Sequence, residues 1–409
     1  MTGRSASVAL AAVLYTPRGN RGVFREFADE MKTRGWRVAG VTQQSLDASG
    51  AARAGVDAVA LDSGETIALT RPSPDQPGCS LVQDALARVS GVLRRAIDSA
   101  PDLIVIEKFG EHEQRGAGLM PLILEAVASG IPVVVAVPAA AIDIWSTYTG
   151  GLGELLACDV AAIRRWWGAR NVLEELARGV DPEAARRVLI GLNWTLVEGP
   201  HGCGLAHSPA RGSAGCRSLE VAGTLHSRSL RELAGLANSW NPFEASVGVA
   251  AINAHYNRYD LQGVESNGLD VLRGAPGNSV CIGSFPGIRE RFRDIRIIEM
   301  QPQPGEYPET ATEAVLATAD AVVVTSSALV NGSFPRILNA CARDAQLVLV
   351  GPGAPIAPSL GYYGVTTVSG LVIENVDAVA ELIAQGGSVK AIKRYGRYLT
   401  LQTVLPSMI

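Results

Sequence analysis

The residues best suited to chemistry sit in a few loops, each following an apolar run. Near the start, Tyr15-Thr16-Pro17-Arg18-Gly19-Asn20-Arg21-Gly22 separates such a run from an amphipathic stretch, where backbone amides at a helix start can hold an anion. Turnover of a nucleotide there needs Gly-Lys-Ser/Thr, the lysine for the phosphates and the hydroxyl for magnesium. The chain has Arg21-Gly22-Val23 instead. Oxyanion binding by Gly19, Asn20, Arg21 and Gly22 survives that loss, whereas ATP hydrolysis does not. Asp102-Leu-Ile-Val-Ile-Glu107-Lys108-Phe109-Gly110-Glu111-His112-Glu113 then sets Glu107 at the end of a buried strand and Lys108 and Glu113 just beyond it. These three join the anion-site candidates; the alternative is a solvated loop pair.

The second half carries denser signals. Gly283-Ser284-Phe285-Pro286-Gly287 follows one apolar run and Glu299 ends the next; Thr325 and Asn331 flank the end of a third, and Gly351-Pro352 follows a fourth. With Asn253 from an earlier helix, Ser284, Phe285, Glu299, Thr325, Asn331, Gly351 and Pro352 form a candidate ligand site of amides, hydroxyls and one carboxylate. Such oxygen and amide groups favour hard cations or oxyanions over soft metals. Glu299 and Asn331 are expected to share one solvent-accessible pocket with Asn253, because both follow strands of one parallel sheet. The loop is not GxGxxG, so a nicotinamide dinucleotide is weakly supported. His201, Cys203, His207 and Cys216 cluster without a standard zinc spacing, and no catalytic residue or metal ligand is assigned.

These loops need a scaffold of alternating strands and helices. Strands are predicted at Val8 to Tyr15, Arg37 to Thr42, Leu103 to Glu107 and Ile131 to Val137, with helices over Val23 to Arg34, Leu81 to Ile97 and Leu119 to Ser129 between them. From about Asp143 to Gly191 the pattern is helical with no strand-like run. Short strands fill Leu192 to Gly223, and helices cover Leu230 to Leu236 and Pro242 to His255. A second alternating series has strands at Ser279 to Gly283, Ile295 to Glu299, Ala321 to Thr325, Gln346 to Val350 and Gly364 to Val368. Its helices are expected at Thr312 to Ala317, Phe334 to Ala342 and Val376 to Gln385. The expected architecture is α/β: a doubly wound domain over 1–170, a small α+β module over 171–272 and a parallel sheet over 273–409.

Composition narrows the classes. The 409 residues are 47% hydrophobic with 44 glycines and only 5% aromatics, which suits α/β layers with many tight loops rather than disorder. Net charge is −4, balanced alike on either side of Arg178, so no nucleic-acid partner is expected. Six scattered cysteines without CxxC point to a reducing, cytoplasmic compartment. No uninterrupted apolar stretch reaches the roughly 18 residues of a membrane span, and no membrane insertion is expected. A mean hydropathy of +0.17 permits a homo-oligomer without locating its interface.

Two resemblances rest on these motifs. Gly35-Trp36-Arg37-Val38-Ala39-Gly40-Val41-Thr42-Gln43-Gln44 and Lys108-Phe-Gly-x-x-Glu113-x-x-Gly116-x-Gly118 make residues 5 to 168 similar to an uncharacterised NTPase-like bacterial family associated with molybdate transport genes, and Asp102 to Glu113 resembles a segment of nucleoside-triphosphatases of the THEP type. This implies a degenerate P-loop-like fold. Gly283 to Gly287, Thr325 with Asn331, Gly351 to Pro355 and Ala250-Ala251-Ile252-Asn253-Ala254 make roughly Val172 to Leu401 resemble the heavy-metal-chelation family. That family joins an enolase-N-terminal-like module to a Rossmann-like domain. Its usual histidine in the Gly-x-Phe-Pro loop is Ser284 here. The resemblances imply binding or handling of a metal ion, a metal oxyanion such as molybdate, or a metal chelate, in the cleft between enolase-like and Rossmann-like parts. The alternative is a nucleotide-dependent NTPase or transferase.

Overall fold

A computed structural model describes residues 8–16, 22–45, 55–72, 79–82, 84–209, 219–266, 268–273 and 277–403. The chain divides between Trp166 and Trp167 into two compact units.

The N-terminal unit begins with β1 (Leu10–Tyr15), α1 (Gly22–Thr33), β2 (Val38–Ser45), β3 (Val56–Ala60), β4 (Thr66–Pro72), β5 (Cys79–Leu81) and α2 (Ala85–Asp98). It continues with β6 (Leu103–Ile106), α3 (Glu111–Gln114), α4 (Met120–Ala128), β7 (Val133–Pro138), α5 (Ile142–Thr149), β8 (Glu154–Ala157) and α6 (Val160–Arg178), the helix within which the division falls. One sheet runs β5-β4-β3-β2-β6-β7-β1-β8. β2, β6, β7, β1 and β8 are parallel, and β3, β4 and β5 extend them antiparallel. Runs such as Leu-Ile-Val-Ile and Val-Val-Val-Ala-Val are buried throughout, as strands covered on both faces must be. The core gathers Ile104, Ile106, Val133 and Val135 from these strands, Leu93 from α2 and Ile123 from α4.

The C-terminal unit starts with β9 (Arg187–Ile190), β10 (Trp194–Glu198) and β11 (Cys203–His207), a three-stranded antiparallel sheet, followed by α7 (Leu230–Ala234) and α8 (Pro242–Tyr256). Next come β12 (Val264–Glu265), β13 (Ser279–Ile282), α9 (Ile288–Arg291), β14 (Arg296–Glu299), β15 (Tyr307–Pro308), α10 (Thr312–Leu316), β16 (Ala321–Thr325), α11 (Ser327–Asn331) and α12 (Phe334–Ala340). β17 (Gln346–Val350), β18 (Val365–Ile373), α13 (Val376–Ala384), α14 (Val389–Ile392) and β19 (Gly396–Gln402) complete it. The large sheet has the order β12-β19-β18-β17-β16-β13-β14-β15. β13 through β18 are parallel, and only β19 and β12 run against their neighbours. From β13 the chain moves outward to β14 and β15, and from β16 it moves the opposite way to β17 and β18. The boundary between β13 and β16 is therefore a topological switch point, where ligands of open α/β sheets bind at the strand ends.

Two expectations need correction. β9 lies inside the segment read as helical between Asp143 and Gly191, and so does β8; each is only four residues long, too short for its period to show. β18 continues to Ile373, past the expected end of the strand at Val368. The Ser369 hydroxyl accepts the Gly268 N–H at 3.2 Å and pairs with Thr400 Oγ1 at 3.0 Å, so tertiary hydrogen bonds carry the strand past that point. Among the described residues no helix is long and apolar enough to cross a membrane.

Candidate functional site

In the N-terminal unit, the C-terminal ends of β1, β2, β6 and β7 border a cavity of about 630 Å³, lined by Tyr15, Thr42, Gln43, Thr70 and residues 107–114 together with apolar Val41, Ala58, Leu69, Val89 and Leu119. Glu107 is buried, and its Oε2 accepts the Gln43 N–H at 2.7 Å while its own N–H donates to Val41 O. The carboxylate therefore fastens the end of β6 to β2.

Glu113 is also buried, with Oε2 accepting the Gly110 N–H at 2.8 Å and Oε1 the Leu119 N–H at 3.0 Å. Gly118 lies against it at φ +58°, and a Cβ there would stand 2.2 Å from Glu113 Oε1. Phe109 is wholly buried and meets Trp145 edge-on at 5.3 Å. The Lys-Phe-Gly-x-x-Glu spacing thus builds a loop around an inward carboxylate and leaves Lys108 exposed at the cavity. Gly22 is the exposed first residue of α1; Gly19, Asn20 and Arg21 lie outside the described residues.

In the C-terminal unit the loops of the switch point touch. Gly283, at φ +89°, is so near Thr325 that a Cβ would lie 2.6 Å from its Cγ2. Glu299 Oε1 accepts the Ser284 N–H at 3.3 Å and Oε2 the Met300 N–H at 2.8 Å. Asn331 Oδ1 accepts from the Ser333 N–H at 2.9 Å and hydroxyl at 2.7 Å, and its Nδ2 points to Met300 Sδ at 3.6 Å. Ser284, Glu299, Thr325 and Asn331 therefore gather along the rim at β13, β14 and β16. Phe285, Gly351 and Pro352 instead line a cavity of about 290 Å³ with Leu269, Ile288, Arg291, Val389, Lys393 and Tyr398.

Asn253 does not reach solvent, which corrects the expectation of one open pocket shared with Glu299 and Asn331. It is 0% exposed, and its Nδ2 donates to Leu205 O at 2.7 Å and Gly353 O at 2.9 Å. One helical turn on, Asn257 Nδ2 donates to Ala354 O and Leu371 O, and its Oδ1 accepts the Ile356 N–H at 2.8 Å. The periodicity of α8 puts both amides on one face, where they clamp the turn after β17. Asn257 was missed by sequence reasoning, although its spacing of four from Asn253 was visible. Gly351 at φ +143° completes the turn, since a Cβ would sit 2.3 Å from Ser326 Oγ.

No group of three or more His, Cys, Asp or Glu able to hold a metal ion occurs among the described residues. Cys203 belongs to the core of the small sheet, His207 packs edge-on against Trp194, His201 pairs with Glu183 at 3.3 Å, and Cys216 lies outside the described residues. Burial pushes the thiols of Cys203 and Cys281 well up, with Glu198 and Glu299 respectively adding to the effect, and Cys281 Sγ donates to Gly283 O. Neutral thiols are poor ligands for soft metals. Neither Cys203 nor Cys281 is expected to be alkylated by iodoacetamide at pH 8 in the native protein, with complete reaction after unfolding. Peptide mapping by mass spectrometry checks this, and rapid native labelling of either would reveal an available thiolate.

The C-terminal unit is thus an open, mostly parallel α/β sheet with polar loops at its switch point, and the N-terminal unit a second such sheet. Residues 267–402 and 173–256 each match a family described as "Putative heavy-metal chelation", and residues 10–166 match a family described as a protein of unknown function. The Molybdenum import ATP-binding protein ModC 2 of Bradyrhizobium diazoefficiens is 34% identical over 160 residues, 39% of this chain but only 18% of that protein's length. An uncharacterized protein of Methanocaldococcus jannaschii is 27% identical over 189 residues, 43% of this chain and 72% of its own length. The crystal structure of a DUF364-family protein of unknown function from Desulfitobacterium hafniense is 27% identical, covering 58% of this chain and 98% of that chain at a TM-score of 0.52.

Proposed function

We propose that the C-terminal unit takes its metal as an anionic complex, an oxyanion such as molybdate or a chelate with organic acids, rather than as a bare cation. One observation carries this reading: among the described residues the cavity beside the switch point is lined by Arg291 and Lys393 and by no carboxylate, imidazole or thiol. Arg291 is already paired with Asp270, whereas Lys393 lies over the Tyr398 ring at 5.1 Å. A bare divalent ion would meet the Lys393 ammonium and no carboxylate among the described lining residues, whereas an anion would meet that ammonium as a partner. The description of the matched families as heavy-metal chelation supports the metal. The name of the Bradyrhizobium relative supports an oxyanion, through the other half of the chain.

In this reading Ser284, Glu299, Thr325 and Asn331 shape the neighbouring rim, and Asn253 positions the Gly351-Pro352 wall without touching the ligand. The family matches at 10–166, 173–256 and 267–402 support the division into 1–170, 171–272 and 273–409. Cys158, Cys203, Cys281 and Cys341 stand outside any disulfide, which suits a reducing cytoplasm.

Equilibrium dialysis with elemental analysis tests the proposal, using sodium molybdate, ferric citrate and the chlorides of nickel and zinc. One equivalent of molybdate or of the citrate complex is expected per chain, weakened about tenfold or more in Lys393→Glu, since a charge-assisted contact is worth roughly 1.5–3 kcal/mol. Stoichiometric nickel or zinc binding from the chlorides, unchanged in Lys393→Glu, would overturn it.

A further inference from the structure

The two cations of the C-terminal cavity are not in the same state. Lys393 has no ion pair among the described residues and lies over the Tyr398 ring. Arg291 is held by a carboxylate from outside the cavity. Asp270 belongs to a 3-10 helix, Gly268–Arg273, whose Leu269 lines the cavity while Asp270 is not among the lining residues. Arg291 Nη2 and Arg273 Nε both reach Asp270 Oδ1, the second at 3.1 Å. The Asp270 side chain is 43% exposed and that of Arg273 66%, against 27% for Arg291. A carboxylate so well hydrated makes only a weak ion pair. It can release Arg291 to a ligand and still keep Arg273 as its partner.

We propose that this cavity selects dianions. A ligand with two negative charges engages Lys393 and takes Arg291 from Asp270, because the planar guanidinium makes paired, charge-assisted bonds to oxyanion oxygens. A monoanion is satisfied by Lys393 alone and carries too little charge to open the pair. Asp270 is then a positioning residue that sets the charge threshold through Arg291 without touching the ligand. The inference rests on the anionic reading of this cavity and adds the charge its ligand must carry.

Isothermal titration calorimetry on the full-length chain tests this with molybdate and perrhenate, tetrahedral oxyanions of similar size that carry two charges and one. Molybdate is expected to bind about tenfold more tightly. Asp270→Asn, which frees Arg291, should tighten molybdate about three- to fivefold, the scale of an exposed ion pair, and perrhenate less. Arg291→Met should remove most of the molybdate advantage, and in that background Asp270→Asn should change nothing. A general effect of the lost negative charge would persist there. Circular dichroism verifies that the variants fold. Equal affinity for the two anions, no gain in Asp270→Asn, or the same gain with Arg291 replaced would overturn the charge selection and leave the anionic reading standing. Binding of ferric citrate but of neither oxyanion would do the same, whereas binding of no anion at all would remove both.

Discussion

Replacing Asn257 with leucine is expected to lower the melting temperature of the C-terminal unit by about 6–12 °C. The side chain is 0% exposed and serves two carbonyls and one N–H. Leucine keeps the branched shape but strands the Ile356 N–H and the Ala354 carbonyl, each at about 1–3 kcal/mol. For a unit of this size a loss of 1 kcal/mol lowers the midpoint by roughly 2–4 °C. Differential scanning calorimetry measures the shift, and hydrogen exchange should quicken across residues 351–357. A midpoint within a degree of the parent protein would mean the turn is held without α8.

Glu113→Ala should have the comparable effect in the N-terminal unit. Two backbone N–H groups, those of Gly110 and Leu119, converge on its buried carboxylate, and bonds of that kind to a charge contribute about 1.5–3 kcal/mol each. The expected loss is about 3–5 kcal/mol, read as a lower first transition on thermal melting and faster hydrogen exchange over residues 108–119. Gly118→Ala should fail in the same direction, because the new methyl meets the same carboxylate. If Glu113→Ala melts like the parent, the carboxylate is free for a ligand and the loop is held by other means.

The parallel strands were legible because burial on both faces leaves continuous apolar runs, as in Leu103–Ile106 and Val133–Pro138. The antiparallel strands β3 and β4 were not, since Val-Asp-Ala-Val-Ala and Thr-Ile-Ala-Leu-Thr mix polar residues into their runs. β19 was missed for a similar reason, its buried Leu399 standing among half-exposed neighbours. The candidate residues were legible as loop ends, and the structure does put Ser284, Glu299, Thr325 and Asn331 at strand or helix ends of one rim. What each carboxylate or amide does was not. Asn253 and Glu113 were read as facing a ligand because a polar residue in a motif suggests one; both turn inward to backbone groups that only tertiary structure brings near. Lys393 and Arg291 went unremarked because nothing in their spacing marks them as neighbours.

The clamp formed by α8 has a consequence for how the chain is made. Asn253 and Asn257 hold backbone about 100 residues further along, and long loop closures form slowly. During synthesis from the N-terminus, α8 emerges well before β17 and its glycine turn exist, so Asn253 has only Leu205 O to meet and Asn257 must wait for its partners. One wall of the C-terminal cavity is thus assembled near the end of translation. A nascent chain can hold a finished N-terminal sheet while its second binding surface has yet to exist.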